Sequence, residues 1–284
     1  MSEPVLLANN LEKSLGGDKI LKNLDLEVRA GETLVIMGAN GSGKSTLLSC
    51  LSGSRTIDGG EVKSLGTPIS EKEGFVSLLV QESLCLDRLS GKENIEFYKK
   101  ADPRFTERWK DYTQKFGIKD ELEKKVENYS GGMRRKLELS IALSNDASAY
   151  LLDEPTAALD LTTVRETHSL IREHSNSDAT FVISTHLSLD AQIADRIAFL
   201  SNGEIVAEGT PEELMQNIPE VIETDLENAE RLNHLAIHNF TFTVDDKVRG
   251  FIAAENNLKD AENMETVEPS YTDMFNYYKE IPNQ

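Results

Sequence analysis

The chain has 284 residues, of which 30 are basic and 49 are acidic, and its formal net charge at pH 7 is −19. This charge argues against the basic surface typical of proteins that bind DNA, RNA or anionic lipid, so we expect no nucleic-acid partner. No apolar run approaches the roughly 18 residues that a membrane-spanning helix needs, and residues 1–10 lack the pattern of a secretory signal, which predicts a cytoplasmic protein.

Strand-like runs in chain order predict an α/β fold. Leu24, Leu26 and Val28 alternate with polar residues as in a half-buried strand. Short apolar runs give five more strand candidates, at Thr33–Met37, Phe75–Val80, Ala149–Leu152, Thr180–Ser184 and Arg196–Ser201. Because helical patterns separate most of these runs, the order favours a largely parallel sheet. A ligand should then bind at the carboxyl ends of the strands.

Two stretches depart from this pattern. Residues at about 82–128 are rich in Lys, Glu and aromatic side chains and lack strong strands, which predicts an inserted helical subdomain.

Thr210-Pro-Glu-Glu213 has the pattern of a capped helix start, and that helix is expected to close a first domain at 1–220. In the acidic remainder, 221–284, Phe240–Val244 alternates like a strand and Ser270 resembles a helix cap, so we predict a small α+β accessory domain.

The most specific motif is Gly38-Ala-Asn-Gly-Ser-Gly-Lys-Ser45, which matches G-x-x-x-x-G-K-[ST] after an apolar strand and before a helical run. Its glycines let backbone N–H groups face phosphate oxygens, while Lys44 neutralises charge and the Ser45 hydroxyl can bind Mg²⁺. A P-loop that binds nucleotide phosphates and Mg²⁺ is therefore predicted. The expected nucleotide contacts are Gly38, Asn40, Gly41, Ser42, Gly43, Lys44, Ser45 and Thr46.

Two carboxylates, Asp153 and Glu154, end the apolar run that begins at Ala149. Adjacent strand residues point to opposite faces, so the two groups can do different work: Asp153 in the Mg²⁺ shell, and Glu154 polarising the attacking water. The alternative is an acidic corner that only makes ion pairs, and the upstream P-loop argues against it. Gln81 and His186 also follow strand candidates, although either residue alone is more often a surface side chain.

A second anion site is predicted at Tyr129-Ser-Gly-Gly-Met133. Ser130-Gly-Gly132 stands at the start of a helix, where unpaired N–H groups and the positive end of the helix dipole attract anions. One γ-phosphate would then be held from two sides. The alternative is a tight turn into a helix, and the basic run 134–136 is expected to be a solvated helix face.

Six motifs, taken in their order along the chain, resemble those of the ATP-binding cassette (ABC) ATPases over about residues 1–220. They are the P-loop, Gln81, Tyr129–Met133, Leu151-Leu-Asp-Glu-Pro155, Ala157-Ala-Leu-Asp160 and His186. The resemblance implies a P-loop NTPase of the ABC type, with a mainly parallel core sheet, an antiparallel β subdomain, an inserted helical subdomain and the α+β appendage. It also implies a head-to-tail dimer, homomeric or heteromeric, in which ATP on one P-loop meets Ser130, Gly131 and Gly132 of the other subunit.

The same resemblance assigns roles to individual residues. Glu154 would activate water, His186 and Gln81 would sense the γ-phosphate, and Mg²⁺ would lie on Ser45, Asp153 and Gln81. Asp160 would belong to the D-loop of the family. Leu15 stands where the family usually has an aromatic residue that stacks on adenine.

Finer features favour one branch of this family. Tyr129–Leu139 is most similar to the ATPase subunits of drug, sodium or polysaccharide exporters, and Glu268–Phe275 resembles an element near the end of many such subunits. The expected partner is a separate integral-membrane permease, which would dock beside Gln81 and hold the chain on the inner face of the membrane. The apolar side chains from Leu86 to Phe97 are either part of that docking site or subdomain core. The alternative function is a motor or regulatory module in a soluble cytosolic assembly.

Overall fold

The computed structural model of the chain describes residues 3–71, 76–175, 179–253 and 263–280, and a six-stranded sheet forms its centre. In spatial order the strands are β10 (Glu204–Gly209), β9 (Arg196–Ser201), β3 (Thr33–Met37), β8 (Thr180–Thr185), β7 (Ala149–Asp153) and β6 (Val76–Leu79). Neighbours are parallel except for β10, which pairs antiparallel with β9. The predicted mainly parallel sheet is confirmed; Phe75, the expected start of one strand, lies outside the described residues.

Both faces of this sheet are buried, as its apolar strands require. One face packs on helix α1 (Lys44–Leu51), whose leucines share one hydrophobic cluster with alternate residues of β3 and β7. The other face packs on α4 (Gly131–Leu143) and α5 (Leu161–Ser175). The register places Met37 beside Thr185 and Asp153 beside Ser184, so the loops after these strands leave the sheet at one edge.

A four-stranded antiparallel sheet covers α1. Its order is β2 (Asp18–Val28), β1 (Leu6–Leu15), β4 (Gly59–Ser64) and β5 (Thr67–Pro68). Leu24, Leu26 and Val28 are buried and alternate with exposed residues along β2, as their spacing predicts. Together with α1 and one face of the central sheet, this sheet encloses a large hydrophobic cluster.

The stretch 82–128 contains two helices, α2 (Gly91–Ala101) and α3 (Trp109–Lys115), and two short 3-10 turns. A capping box starts α2, because Ser90 accepts from the N–H of Glu93 and the Glu93 carboxylate accepts from the N–H of Ser90. Fully buried Ile95 and Val126 join the hydrophobic cluster that also contains α4. The inserted helical subdomain predicted for this fold is present, while its limits stay a prediction.

The C-terminal region begins after α6 (Pro211–Gln216), which Thr210 caps as predicted. Four antiparallel strands follow, in the order β12 (Thr241–Val244), β13 (Lys247–Ile252), β11 (Glu220–Asp225) and β14 (Met264–Val267). Helices α7 (Ala229–Leu235) and α8 (Tyr271–Glu280) complete this α+β unit. In α8, Tyr278 stacks on Phe199 of the central sheet with 4.7 Å between ring centroids. The boundary at 220 stays a prediction.

The described part of the chain contains no helix that is both long enough and apolar enough to cross a bilayer. The longest of its helices, α5, has 15 residues and carries charged side chains.

Candidate functional site

The P-loop lies at the carboxyl edge of the central sheet, between β3 and α1, and its shape depends on glycine. A Cβ atom on Gly38 would lie 2.2 Å from the carbonyl oxygen of Leu200, so no side chain fits there. Gly43, directly before α1, has a φ of +108°, which L-residues rarely adopt. The loop therefore passes close to β9 and turns sharply into the helix, whose first N–H groups have no partner within the helix.

Lys44 is buried under the loop that precedes it. Its Nζ donates to the carbonyl oxygens of Gly38 at 2.9 Å and of Ala39 at 3.0 Å. Burial lowers the pKa of Lys44, and the nearby carboxylates of Glu154 and Asp153 act in the opposite direction. An ammonium group fixed in this way faces the edge of the sheet where the motif predicts phosphate groups.

Three predicted catalytic side chains meet beyond the end of β7. Glu154 Oε1 lies 3.0 Å from Nδ1 of His186, and Glu154 Oε2 accepts a hydrogen bond of 3.4 Å from Nε2 of Gln81. Asp153, by contrast, turns to the neighbouring strand, where its Oδ1 accepts from the Ser184 hydroxyl. The two carboxylates therefore have different surroundings, as their adjacent positions at a strand end predict.

The backbone at Glu154 is strained. Its φ is +48°, in the left-handed region, which costs a residue with a Cβ roughly 1–2 kcal/mol. A hydrogen bond of 3.0 Å from its N–H to the carbonyl oxygen of Ser184 helps to hold this conformation. Strain retained in a buried residue indicates that the direction of its side chain matters, since such positions concentrate at active sites.

An open cleft of about 420 Å³ joins Gln81 and Glu154 to the P-loop. Its walls are formed by Leu15, Ile20, Asn40, Gly41, Gly43, Lys44, Ser45, Thr46, Gln81 and Glu154. Leu15 and Ile20 supply an apolar wall, while the opposite side is polar. A larger cleft of about 690 Å³ lies between α3 and α5 and contains none of the predicted site residues.

The donors at this edge fit Mg²⁺ together with a polyphosphate. Ser45 is exposed in the first turn of α1, Asp153 is a carboxylate, and Gln81 carries an amide oxygen, so the predicted ligands are all hard oxygen atoms. No cluster of three or more His, Cys, Asp or Glu side chains suited to a metal occurs in the ranges that the structure describes. Mg²⁺ commonly binds through one or two protein ligands plus substrate phosphates, and this edge offers that arrangement.

Ser130, Gly131 and Gly132 do not line the cleft. Ser130 caps α4, and its Oγ accepts from the N–H of Met133 at 3.2 Å. A Cβ atom built on Gly131 or Gly132 would meet no atom within 4 Å, so this helix start faces open space. The predicted second anion site is therefore on the surface, apart from the P-loop of its own chain.

Asp160 is also outside the cleft, where it caps α5. Its carboxylate accepts from the N–H of Thr163 at 3.0 Å and from the hydroxyl of the same residue at 2.7 Å. These hydrogen bonds lower the pKa of Asp160. Asp160 thus fixes the start of α5.

The prediction that Arg135 belongs to a solvated helix face is wrong. The side chain is buried and donates hydrogen bonds to main-chain carbonyl groups, including that of Glu154 at 2.9 Å. Sequence reasoning also missed Asp190, which is fully buried and accepts from Thr156, Thr185 and His168. Thr156 and Thr185 stand close in sequence to Glu154 and His186, but no local pattern marks Asp190 as their shared partner.

With this geometry established, comparisons with known proteins identify the family. A family model described as ABC transporter matches residues 21–157. The daunorubicin resistance ATP-binding protein DrrA3 of Streptomyces coeruleorubidus is 32% identical over 224 residues, covering 75% of this chain and 71% of that protein. The chain belongs to the ABC transporter family. It carries the nucleotide-binding cassette of that family, as its motifs predict.

Two further matches place this ABC cassette in context. The macrolide export ATP-binding/permease protein MacB of Pasteurella multocida is 30% identical over 263 residues, which cover 85% of this chain and 40% of MacB. A dimeric ATP-binding cassette, solved in a post-hydrolysis state with ADP and Pi, has a TM-score of 0.66 at 24% identity, covering 72% of this chain and 98% of that one. The predicted ABC-type fold is confirmed, and the roles of individual site residues stay predictions.

Proposed function

We propose that this ABC cassette hydrolyses ATP at sites shared between two subunits and so drives export of a substrate through a separate membrane permease. The observation that carries the proposal is the meeting of Glu154 with His186 and Gln81, because Glu154 and Gln81 line the cleft that contains Lys44. A cassette that only bound nucleotide would not need a strained glutamate aimed at the phosphate end of its cleft.

The cleft suggests how ATP would lie. The adenine would rest on the apolar wall of Leu15 and Ile20, and the phosphates would follow the P-loop to Lys44. Mg²⁺ on Ser45, Asp153 and Gln81 would neutralise phosphate charge when bound. Ser42, whose buried Oγ has no protein hydrogen-bond partner, supplies a further polar group within the loop.

Glu154 is the proposed general base. Its carboxylate can accept a proton from the water that attacks the γ-phosphate, while the 3.0 Å contact with His186 orients it. Gln81 contacts the other carboxylate oxygen, so both oxygens of Glu154 have side-chain partners. These contacts fix the direction of the carboxylate before nucleotide binds, which is the condition for efficient proton transfer.

The position of Ser130, Gly131 and Gly132 supports a dimer. This helix start faces open space in its own chain, so a P-loop can meet it only from a second subunit. Both the serine hydroxyl and the N-terminal N–H groups of α4 would then contact the γ-phosphate of that subunit. ATP would bridge two copies, or this chain and a related cassette, and hydrolysis would release them.

Exposed apolar side chains support a permease partner. Phe97 is 48% exposed and Leu86 is 43% exposed, whereas Ile95 between them is fully buried. The interpretation of Leu86, Leu89, Ile95 and Phe97 as subdomain core therefore holds for Ile95 and is wrong for Leu86 and Phe97, while Leu89 is half-buried. Gln81 is exposed five residues before Leu86, so a helix of the permease could contact both the apolar surface and the catalytic glutamine.

The direction of transport is proposed from the relatives. The names of DrrA3 and MacB refer to drug resistance and macrolide export, and this chain shares about a third of its aligned residues with each. On this basis the cassette is proposed to sit in the cytoplasm, held peripherally at the inner face of the membrane by its permease.

An affinity experiment tests the proposed partner. We expect tagged Glu154→Gln protein, with ATP and Mg²⁺, to recover a polytopic membrane protein from detergent-solubilised membranes of the native cell. Lys44→Ala protein should recover much less, because the interaction depends on bound nucleotide. Recovery of soluble proteins alone would contradict transport and indicate a cytosolic assembly instead.

A further inference from the structure

The buried guanidinium of Arg135 uses all five of its N–H groups. Nε donates to the carbonyl of Pro155, Nη1 donates to the carbonyl of Val80 and to the Glu138 carboxylate, and Nη2 donates to the carbonyls of Asp153 and Glu154. An arginine has five donors in a rigid planar fork, and here each has an acceptor. Only about 8% of the residue is exposed, so water does not substitute for these partners.

These acceptors belong to the segments that carry the proposed catalytic groups. Asp153, Glu154 and Pro155 form the end of β7 and the turn after it, and Val80 immediately precedes Gln81. Four of the five bonds are made to main-chain carbonyl groups, so they fix the backbone rather than a single side chain. Arg135 therefore joins the backbone of Glu154 to the backbone that leads into Gln81.

Glu138, one turn further along α4, extends this connection. Its Oε2 accepts from Arg135 at 3.2 Å, and its Oε1 accepts from the Ser83 hydroxyl at 2.7 Å. Val80 and Ser83 flank Gln81, so α4 holds the glutamine segment on both sides. Glu138 is 3% exposed, and its negative charge compensates the buried guanidinium.

We propose that Arg135, supported by Glu138, is a positioning residue for ATP hydrolysis. By binding the carbonyls around Glu154 it maintains the left-handed backbone at that residue and keeps its carboxylate between Gln81 and His186. This inference rests on the proposed hydrolytic function, and it assigns a role in hydrolysis to a residue that contacts neither ATP nor the attacking water. Because α4 begins at Ser130, contact of that residue with a partner's nucleotide would reach the Glu154 of the same subunit through one rigid helix.

The first test is steady-state kinetics of the 284-residue chain. We expect Arg135→Ala to lower kcat by about 100-fold, as displacement of a catalytic group by about 1 Å can do. The KM for ATP should stay within about twofold, because the residues that bind the nucleotide are unchanged. Arg135→Lys should restore only part of kcat, since a lysine has three donors for five acceptors, and Glu138→Gln should lower kcat less than Arg135→Ala does.

Arg196 offers a matched control. It is 7% exposed and forms ion pairs with Glu32 and Glu208, but it stands at the start of β9, at the edge of the sheet opposite the P-loop. Arg196→Ala should lower the melting temperature and leave kcat of the folded enzyme near that of the wild type. An equal loss of kcat in this variant, or a wild-type kcat in Arg135→Ala, would overturn the proposal. If Arg135→Ala does not fold, Arg135→Lys and Glu138→Gln test the proposal instead. A wild-type kcat in both of these variants would refute the positioning role of Arg135.

Hydrogen exchange tests whether Arg135 holds the backbone at Glu154 independently of whether the chain hydrolyses ATP. The N–H groups of Glu154 and Ala157 are hydrogen-bonded in the segment that Arg135 holds. In Arg135→Lys these amides should exchange faster than in the wild type, while Arg196→Ala should leave them unchanged. Absence of turnover in the wild type would refute hydrolysis, but it would not refute the proposal that Arg135 holds the backbone at Glu154. Unaltered exchange in Arg135→Lys would refute that proposal even in an active enzyme.

Discussion

Replacing Glu154 with glutamine is expected to lower ATP turnover by roughly 100-fold to 10,000-fold, the usual contribution of a positioned general base. Glutamine has nearly the same shape, so the contact with His186 can persist while the proton acceptor is lost. ATP binding should be retained, because the P-loop and Lys44 are unchanged. Phosphate release under saturating ATP and Mg²⁺, with ATP affinity measured in parallel, gives both quantities.

A buried glutamate elsewhere in the chain serves as the control. Glu32 is 9% exposed and is paired with Arg196, and it precedes β3 at the opposite edge of the sheet. Glu32→Gln should lower the free energy of unfolding and leave turnover per folded molecule unchanged. Wild-type turnover in Glu154→Gln would show that another group activates water and would remove the basis for the proposed chemistry.

Replacing Lys44 with alanine is expected to abolish turnover by preventing tight nucleotide binding. A hydrogen bond to a charged group contributes about 1.5–3 kcal/mol, which corresponds to roughly 10-fold to 150-fold in affinity. The loss should fall on the phosphates, so AMP, which lacks the β- and γ-phosphates, should bind the variant and the wild type about equally. Isothermal titration with ATP and with AMP distinguishes these effects.

The alanine variant should also remain folded. Among the described residues, the hydrogen bonds of Lys44 Nζ go to carbonyls of the loop that precedes it, so its removal leaves the contacts of α1 with the sheet intact. Lys247→Ala, which removes an exposed ion pair with Asp225 in the C-terminal sheet, is a control for the loss of a lysine as such. Tight ATP binding by Lys44→Ala would contradict the proposed position of the phosphates.

Much of the central sheet could be predicted from the sequence because its signals are local. Thr33–Met37 and Arg196–Ser201 are strands with the predicted limits, since each is an apolar run bounded by turn or charged residues. The meeting of Glu154 with His186 follows in the same way, because parallel strands end at one edge. The N-cap at Ser130 and the capping box at Thr210 were likewise visible as short patterns.

The parts that could not be predicted depend on contacts distant in sequence. Arg135 lies in a basic run that resembles a solvated face, and its burial is decided by Val80 and Glu154, which are 55 and 19 positions away. Asp190 likewise becomes a shared acceptor only when Thr156 and His168 are brought beside it. Local periodicity carries no information about such partners.

In the C-terminal region, sequence signals recovered β12 and α8 but missed β11, β13 and β14. β13 contains Arg249 and Gly250, which interrupt the alternation of a strand, yet both have a structural role. Arg249 pairs with Glu223 and with fully buried Asp273, and Gly250 leaves space for the close approach of Ala236. Packing between elements decides strand formation here.

The central claim is that ATP joins two subunits through Ser130 of one and the P-loop of the other, and light scattering of Glu154→Gln protein tests it most directly. With ATP and Mg²⁺ the mass should double relative to the nucleotide-free protein, and the additional change Ser130→Glu, which places a negative charge where the phosphate must bind, should return it to that of one chain. A mass that does not change with saturating ATP would contradict a site shared between two copies of this chain, and an equal doubling in the Ser130→Glu protein would contradict the proposed contact of Ser130 with the phosphate.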